Sequence, residues 1–244
     1  MYKIGTLNVH QWSDSNYQYN SDKILQLLKN NDIDIIGLQE TEEKPLEKFS
    51  KQLGQYNYIY NRNTAILSKY NIKNLTKDTK ERYTIGRILL PNQQNIVILC
   101  LHLDYKYEPK RITQMEHIIS KLELTKHPIV ILGDFNALTK NDYSKKKWEN
   151  IYTVRKENKW ELPLTILTDR ITSNQEDGWN LIDSRKIAKE ISGPLTTCRF
   201  DTRIDYIYIN KNLKKNWNIY KYECINAIPN ITDHNLVIIF LKIN

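Results

Sequence analysis

The chain has 244 residues, within the range of one large α/β unit, so residues 1–244 are expected to form a single domain and a monomer. Its three cysteines (Cys100, Cys198 and Cys224) contain no CxxC pair, which argues against a disulfide framework or a zinc cage and favours a reducing compartment. No segment approaches the run of about 18 apolar residues that spans a membrane. The amino terminus is too short and polar for a signal peptide. We therefore expect an intracellular protein, cytoplasmic or nuclear and not secreted, with no stable membrane association.

The balance of charge is strongly basic. The formal net charge is +8 and the sequence pI is near 9.1. A basic surface attracts polyanions such as nucleic acid or phosphoinositides. The chain is also rich in Lys, Asn, Ile and Tyr, a mixture that AT-rich coding produces without any selection for a ligand. The charge therefore supports a polyanionic partner, nucleic acid first, without establishing one.

Apolar segments of strand length recur along the chain, separated by polar sequence. They occupy residues 2–7, 34–38, 64–67, 85–90, 96–101, 128–132, 204–209 and 236–241. Short apolar runs of this kind are typical of buried strands. The stretch 137–197 is the least regular, and we expect it to form loops and short helices that pack on the main body.

Two segments have the periodicity of amphipathic helices. Ser21 is placed to cap the first, whose Ile24, Leu27 and Leu28 share one face. The second covers residues 109–122, with Pro109 in its first turn. Its inward stripe comprises Ile112, Met115, Ile119 and Leu122. Strands with helices to cover two faces predict two stacked sheets with helices outside them.

Polar side chains of one chemical kind follow or precede several of the predicted strands. They are Asn8, Glu40, His102, Asp134, Asn136, Asp205, Asp233 and His234. A charged group in apolar surroundings is costly unless it is paired, hydrogen-bonded or bound to metal. One such residue would be an ordinary loop residue, but six elements that converge on Asp, Glu, Asn and His predict a shared site. Carboxylates and amides without clustered thiols suit magnesium or manganese better than zinc, which points to phosphoryl transfer.

These residues also carry a family resemblance. The segments 6–9 (TLNV), 37–40 (GLQE), 101–103 (LHL), 133–136 (GDFN), 203–207 (RIDYI) and 232–234 (TDH) resemble, in order, the signature blocks of the endonuclease/exonuclease/phosphatase superfamily. Any one block is weak evidence, whereas six in order, each at a strand edge, are strong. The resemblance implies a four-layer α/β sandwich, two stacked mixed β-sheets flanked by helices, with the site at one edge of the paired sheets.

The resemblance also implies a role for each residue of the site. Glu40 would be the principal ligand of a magnesium ion, for which manganese can substitute, and Asn8 and Asp233 would complete the metal site. Asp134 would orient or deprotonate the attacking water, and Asn136 would hold a phosphate oxygen. The alternatives are a surface acid for Glu40, a turn residue for Asn8, and an ordinary Asx turn for Asp134 and Asn136.

Three further residues complete the implied catalytic group. His234 would stabilise the transition state, and Asp205 would accept its hydrogen bond, fix its tautomer and raise its pKa. The alternative for Asp205 is a structural pairing with Arg203. His102 would protonate the leaving oxygen or bind the phosphate, because imidazole titrates near neutral pH.

Two residues form a second tier. Arg111 resembles a helix position that supports the site in relatives, with phosphate contact and structural pairing both open. His10 stands where the abasic-site nucleases of the superfamily have an acid. This departure weakens an assignment as an abasic endonuclease and leaves the number of metal ions open.

The substrate is less well specified than the reaction. The basic balance favours a nuclease or an end-processing phosphodiesterase, and Tyr105, Tyr107, Trp148, Trp160 and Trp179 could stack on bases. The alternative for each Trp is packing in the core or under a loop. A phosphatase or phosphodiesterase acting on inositol phosphates, phospholipids or other small esters ranks lower, because no amphipathic basic helix is evident. A non-catalytic scaffold ranks last, because no expected site residue is missing.

Overall fold

The computed structural model describes residues 1–54, 56–77, 80–124 and 126–243. The first half of the chain contains β1 (Tyr2–Asn8), α1 (Ser21–Asn31), β2 (Ile35–Gln39), α2 (Glu43–Gly54), β3 (Asn57–Asn61), β4 (Thr64–Ser68), β5 (Ile72–Asn74), β6 (Tyr83–Leu89), β7 (Asn95–His102) and α3 (Glu108–Ser120). The second half contains β8 (Ile129–Asp134), α4 (Lys145–Glu157), α5 (Ile166–Thr172), β9 (Ile182–Asp183), α6 (Ser184–Ile187), β10 (Glu190–Ser192), β11 (Asp205–Ile209), α7 (Lys211–Asn216), β12 (Trp217–Ile225) and β13 (Leu236–Ile243).

The strands form two mixed sheets. One has the order β10-β12-β13-β1-β2-β4-β3, and the other has the order β5-β6-β7-β8-β11-β9. Most neighbours are antiparallel, but β1 runs parallel to β2, β7 to β8, and β10 to β12. The predicted α/β sandwich of two stacked mixed sheets flanked by helices is confirmed.

Three apolar clusters separate the four layers. The cluster between the sheets takes alternate residues from facing strands, among them Ile35, Cys100 and Leu132. A second cluster covers the outer face of the larger sheet with residues of α1 and α2. A third covers the outer face of the smaller sheet with residues of α3 and α5. Because the central strands are buried on both faces, they have continuous apolar sequences.

The predicted strands are all present, with ends that differ by one or two residues. The helix predicted over 109–122 is α3, in which Met115 is buried while Ile112 and Ile119 pack at the edge of the core. The prediction that Ser21 caps α1 is wrong: Asn20 holds the N-cap position and Ser21 is the first helical residue. Helix α4 lies in the irregular stretch and was not predicted, because it buries only Ile151. No helix in the described residues has the length and apolarity to cross a membrane.

Two glycines allow the close approach of strands that brings the site together. Gly37 of β2 faces the other sheet, and a Cβ there would lie 2.1 Å from Cδ1 of Leu132. Gly133 of β8 has a φ of 141°, and a Cβ there would lie 2.0 Å from the carbonyl oxygen of Leu101. Backbone cannot move aside as a side chain can, so Gly133 is required both by its conformation and by its neighbour.

We expect Gly133→Ala to lower the free energy of unfolding by about 3 kcal/mol or more, since overpacking adds to backbone strain. Gly54→Ala is the matched control, because Gly54 also has a positive φ (112°) but has no atom within 4 Å of the added Cβ. The control is expected to lose only about 1–2 kcal/mol, the strain part alone. Urea denaturation of the two variants measures the difference, and equal losses would contradict the steric argument.

Candidate active site

Strand register places three predicted residues side by side at one edge of the smaller sheet. Asp134, the last residue of β8, is paired with His102 of β7 on one side and with Asp205 of β11 on the other. In the larger sheet, Asn8 ends β1 opposite Gln39, and Glu40 follows directly. The ends of five strands or their following turns therefore meet where the two sheets face each other.

The side chain of Asn8 joins the two sheets. Its amide nitrogen donates to Oε1 of Glu40 at 3.0 Å and to Oδ2 of Asp134 at 3.2 Å. Its amide oxygen accepts from the backbone N–H of His10 at 2.9 Å, which fixes the orientation of the amide. Glu40 has a φ of 53°, a conformation that turns its side chain out of the strand direction. The surface-acid alternative for Glu40 does not match this position, where three quarters of the side chain is buried (25% exposed).

Asp205 and His234 form the predicted pair. Nδ1 of His234 lies 2.8 Å from Oδ2 of Asp205, and both residues are buried. Burial lowers the pKa of His234, but the charges of Asp205, Asp134 and Asp233 and the hydrogen bond to Asp205 outweigh it and raise the pKa well above its ordinary value. The alternative partner, Arg203, instead contacts Asp183 and Asp142. Nε2 of His234 is left facing the site, 3.9 Å from Oδ2 of Asp134.

The turn after β8 holds Asp134 and Asn136 in fixed positions. Oδ1 of Asp134 accepts from the backbone N–H of Asn136 at 2.9 Å, so the Asx turn weighed as an alternative is present. The side-chain amide of Asn136 donates to the carbonyl oxygen of Leu103 at 3.1 Å and still lines the cleft. Burial, and next the negative charge of Asp205, raise the pKa of Asp134 to about 7.

His102 faces the carboxylates of Glu40 and Asp134. Its Nε2 lies 3.8 Å from Oε1 of Glu40 and 3.8 Å from Oδ2 of Asp134. Burial lowers the pKa of His102 to about 4 despite the nearby charge of Glu40, so the ring is neutral at neutral pH. The amide nitrogen of Asn63 lies 3.0 Å from Nδ1. In that arrangement Nδ1 accepts, and Nε2 carries the proton that points into the site.

Asp233 and His10 lie at the side of the cleft. Oδ2 of Asp233 is 3.7 Å from Nε2 of His10 and 3.6 Å from Nε of Arg199. The other ring nitrogen of His10 is 3.0 Å from the carbonyl oxygen of Asp14, and its ring packs beside Tyr17. His10 thus lines the cleft, next to a carboxylate predicted to bind metal.

Arg111 lies apart from the other predicted residues. It is buried in α3, where its guanidinium contacts the carboxylates of Glu108 and Glu161 and donates to the carbonyl oxygen of Asp104. It does not line the cleft, although Glu161 does. Of the two roles left open for Arg111, these contacts favour structural pairing.

The cleft above these residues has a volume of about 1230 Å³. The exposed aromatic residues Tyr105, Tyr107 and Trp160 line it, as the sequence allowed. Trp148 and Trp179 do not: Trp148 packs beside Tyr143, and Trp179 packs at the edge of the outer core cluster. For these two residues, the alternative of packing is the one the structure bears out.

A family model described as the endonuclease/exonuclease/phosphatase family matches residues 11–234. The chain belongs to this family. Its enzymes hydrolyse phosphate esters and generally depend on a divalent metal. No curated protein matches the sequence.

Solved structures share the fold at low sequence identity. An endonuclease/exonuclease/phosphatase from Bacteroides vulgatus is 19% identical, with a TM-score of 0.70 over 100% of this chain and 99% of that one. A mannosyl-6-phosphatase from Bacteroides thetaiotaomicron is 15% identical, with a TM-score of 0.68 over 99% and 100%. Humanized TDP2 of D. rerio is 13% identical, with a TM-score of 0.63 over 99% and 98%. These likenesses establish the fold.

The residues at this edge fit a divalent cation of the kind the family uses. Asp134, Asp205 and His234 offer ligand atoms within 4.8 Å of one another. His234 and Asp205 are already hydrogen-bonded, and a protonated imidazole cannot bind a metal, so a cation would fit better at the Glu40 side of Asp134. Oδ1 of Asp233 is buried without a hydrogen-bond partner among the described residues, as is expected of a carboxylate that completes such a site. Carboxylate and amide oxygens match the preferences of magnesium.

Two residues of the site were not predicted from the sequence. Asn63, which contacts His102, lies in the turn between β3 and β4, with no catalytic pattern around it. Arg199 lies next to Cys198, whose backbone pairs with that of His234 in an isolated antiparallel β-bridge. The only signal for Arg199 was its place shortly before Arg203 and Asp205 in the chain.

We expect Asp205→Asn to lower the pKa of His234, because burial then acts with one fewer opposing charge and without the carboxylate hydrogen bond. The imidazolium should persist above pH 7 in the wild-type chain and lose its proton at lower pH in the variant, as followed by ¹⁵N NMR of the ring. Since the folded pKa is raised, the pair stabilises fully below about pH 6.5 and loses its contribution as the pH rises through the folded value. The stability difference between the two chains should therefore shrink at high pH.

Asp233→Asn is the matched control for this titration. Asp233 is a second carboxylate near the ring, with Oδ1 at 3.9 Å from Nε2 of His234, but it makes no hydrogen bond to the ring. Its removal should lower the pKa of His234 by a smaller amount. An equal or larger drop in this control would contradict the role given to Asp205.

Proposed function

We propose that this protein is a magnesium-dependent phosphodiesterase that hydrolyses phosphodiester bonds in nucleic acid. The observation that carries the proposal is the convergence of five side chains on the floor of one cleft whose walls are basic and aromatic: Glu40, His102, Asp134, Asp233 and His234. Asn8 and Asp205 support this floor through hydrogen bonds to Asp134 and His234. The floor supports phosphoester hydrolysis, and the walls support a polyanionic substrate with bases.

Glu40, Asp134 and Asp233 would hold the cation, and Asn8, whose amide nitrogen donates to Glu40 and Asp134, would position two of these carboxylates. A bound Mg²⁺ supplies Lewis-acid activation of the phosphate and stabilises the charge that develops on the leaving oxygen. Mn²⁺ offers the same preference for oxygen ligands and would substitute for it. Asn8 holds Glu40 and Asp134 at a fixed separation before any ligand arrives, which is the preorganisation such a site needs.

The remaining residues position the water and the phosphate. Asp134, once ionised, would orient the attacking water beside the cation. The imidazolium of His234 would donate from Nε2 to a phosphate oxygen, with Asp205 holding its Nδ1–H. The neutral ring of His102 presents an N–H to the same region, which favours phosphate binding over proton donation to the leaving group. Asn136 would hold a further phosphate oxygen.

The walls of the cleft favour nucleic acid over a small ester. Seven basic side chains line it: Arg62, Arg82, Lys106, Lys147, Arg155, Lys159 and Arg199. Five aromatic side chains line it as well: Tyr17, Tyr105, Tyr107, Trp160 and Phe200. A sugar phosphate or inositol phosphate has no use for several cations beyond its own phosphates or for exposed aromatic faces, whereas a polynucleotide uses both.

We expect Glu40→Gln and Asp134→Asn each to lower kcat by a factor of about 100–1000 or more, comparable to the removal of one preorganised transition-state group. The measurement is metal-dependent hydrolysis of single- and double-stranded DNA, RNA, abasic DNA, 5′-tyrosyl DNA, bis-p-nitrophenyl phosphate, inositol phosphates and a sugar phosphate. Glu42→Gln is the matched control, since Glu42 also lines the cleft but is exposed and distant from the Asn8 hydrogen bonds. Urea denaturation confirms that each variant is folded.

Two results would contradict the proposal in different ways. Turnover of inositol or sugar phosphates alone would overturn nucleic acid as substrate and leave the reaction in place. Full activity in both Glu40→Gln and Asp134→Asn would remove the assignment of the site.

Magnesium affinity is expected to rise with pH. Because the pKa of Asp134 is near 7, its carboxyl must lose a proton before it can bind a cation, and the ionised fraction grows about tenfold between pH 6 and pH 8. The association constant for Mg²⁺, measured by titration calorimetry, should increase by about the same factor. Asp134→Asn should bind more weakly and lose most of this pH dependence. An affinity that stays level in the wild-type chain would show that Asp134 is not a ligand.

A further inference from the structure

One wall of the cleft carries a group of residues that the hydrolytic chemistry does not use. It consists of Arg155, Lys159, Trp160, Arg199 and Phe200, which we call the α4 wall because three of them lie at or just after the end of α4. Trp160 and Phe200 are 43% and 54% exposed. Their rings pack edge to face with centroids 5.1 Å apart. Large aromatic side chains left this open in a cleft are typical of ligand contacts.

The aromatic pair is held in a defined position. The backbone N–H of Trp160 donates to the carbonyl oxygen of Arg155 at 2.9 Å, and that of Lys159 donates to Lys156 at 3.2 Å. These two bonds form a Schellman motif, which fixes the direction in which the chain leaves the helix. On the other side, an ion pair between Lys147 and Asp201 ties the loop that carries Phe200 to α4.

Lys159 occupies the position of this motif that glycine usually holds. Its φ is 57°, in the left-handed region that a side chain disfavours. Glycine would relieve the strain, so the backbone conformation at this position gives no reason for a lysine. Its charge lies at the cleft, where it is available to a ligand.

Two cations of the wall, Arg155 and Lys159, form no ion pair with a carboxylate of the described residues. Arg155 is half-buried and donates to the carbonyl oxygen of Glu161 at 3.1 Å. Burial, and next the charge of Arg111, lower the pKa of its guanidinium. Because both cations lack such an ion pair, an anion at this wall would gain two favourable contacts and displace none.

Arg199 connects the wall to the catalytic floor. Its Nε lies 3.6 Å from Oδ2 of Asp233, and its guanidinium carbon lies 5.0 Å from the centre of the Phe200 ring. A ligand that rests on the aromatic pair is thus one side chain away from a residue of the metal site. That spacing suits one continuous ligand that reaches both.

We propose that the α4 wall binds an unpaired nucleotide next to the scissile phosphate, so that the substrate class is single-stranded nucleic acid. The base would stack on one ring of the Trp160–Phe200 pair and contact the edge of the other, and the backbone phosphate would contact Arg155, Lys159 and Arg199. An aromatic face stacks on any unpaired base, whereas the bases of a duplex are already covered by their neighbours. This inference rests on the proposed function.

The apolar side chains that follow Trp160 raise a membrane surface as a second possible partner, but they do not line the cleft. Leu162, Leu164 and Ile166 are exposed, and an anionic membrane could use them together with the basic residues. None of the three lines the cleft, however, whereas both aromatic rings and the three cations of the wall do. The observations therefore favour single-stranded nucleic acid in the cleft over a membrane surface, and binding to lipid vesicles is one outcome of the test.

The test is binding of a fluorescein-labelled dT12 strand, compared with its duplex with dA12, to the full chain carrying Glu40→Gln so that nothing is cleaved. Fluorescence anisotropy in Mg²⁺ buffer should give a tighter Kd for the single strand. Adding Trp160→Ala or Phe200→Ala should weaken single-strand binding by about 5- to 100-fold, the range of one stacking interaction. Duplex binding should change much less. Tyr152→Ala is the matched control, since Tyr152 is an exposed aromatic on α4 that does not line the cleft.

Lys159→Gly separates a binding role from a structural one. Relief of the positive φ should raise the Tm, while loss of the cation should weaken single-strand binding and reduce its salt dependence by about one counterion. A merely structural lysine would raise the Tm and leave the Kd unchanged. Lys159→Arg should retain the binding.

Three results would overturn the inference. The first is a duplex that binds as tightly as the single strand, and the second is unchanged single-strand affinity in both aromatic variants. The third is displacement of dT12 by phosphatidylserine vesicles that is lost in Trp160→Ala. Failure of the proposed function is distinguishable, since it would appear as no hydrolysis of any phosphodiester, including bis-p-nitrophenyl phosphate, by the wild-type chain. Binding of dT12 does not depend on that result.

Discussion

The site depends on how four carboxylates are accommodated at one buried edge. Asp134 and Asp205 are neighbours in the sheet register, and Glu40 and Asp233 approach from other strands. Like charges this close in a water-poor environment repel each other strongly. Each acid is relieved in a different way, and the differences create the distinct chemical roles.

The amide of Asn8 reduces the repulsion between Glu40 and Asp134. By donating to Glu40 and Asp134 together, it bridges the two sheets at the point of greatest negative charge. Asp205 is relieved by the imidazolium of His234, and Asp134 is relieved by keeping its proton up to a pH near 7. Asp233 is left with a buried oxygen atom that has no hydrogen-bond partner in the described residues. A divalent cation would neutralise the negative charge that these contacts leave, in line with the general dependence of the family on a divalent metal.

Close packing of the sheets makes this crowding possible. Gly37 admits Leu132 from the opposite sheet, and Gly133 lets β8 pass the backbone of β7. A larger residue at either position would separate strand ends that must lie within hydrogen-bond distance. The short motifs around these glycines therefore contain both the reactive residue and the space for it.

The sequence predicted the floor of the site because strand ends are visible in it. Apolar runs that stop at Asn8, His102 and Asp134 mark the edge of a sheet, and the Asp205–His234 pair follows from the family pattern. Asn63 was missed because its contact with His102 joins residues 39 apart through tertiary packing alone. Arg111 could not be assigned because Glu161, its partner, lies 50 residues away in irregular sequence.

Three aromatic residues of the walls were named from the sequence, but the helix that forms much of the wall was not, for a related physical reason. Helix α4 buries a single residue, Ile151, so its sequence lacks the apolar stripe that reveals an amphipathic helix. Its end is set by a Schellman motif with Lys159 where glycine is usual, which removes the ordinary stop signal. The proposed substrate contacts would come from segments held by local hydrogen bonds and an ion pair, while the residues of the floor are positioned by sheet register. A chain built in this way can change its walls without disturbing the floor, so the floor identifies the reaction and the substrate must be sought in the walls.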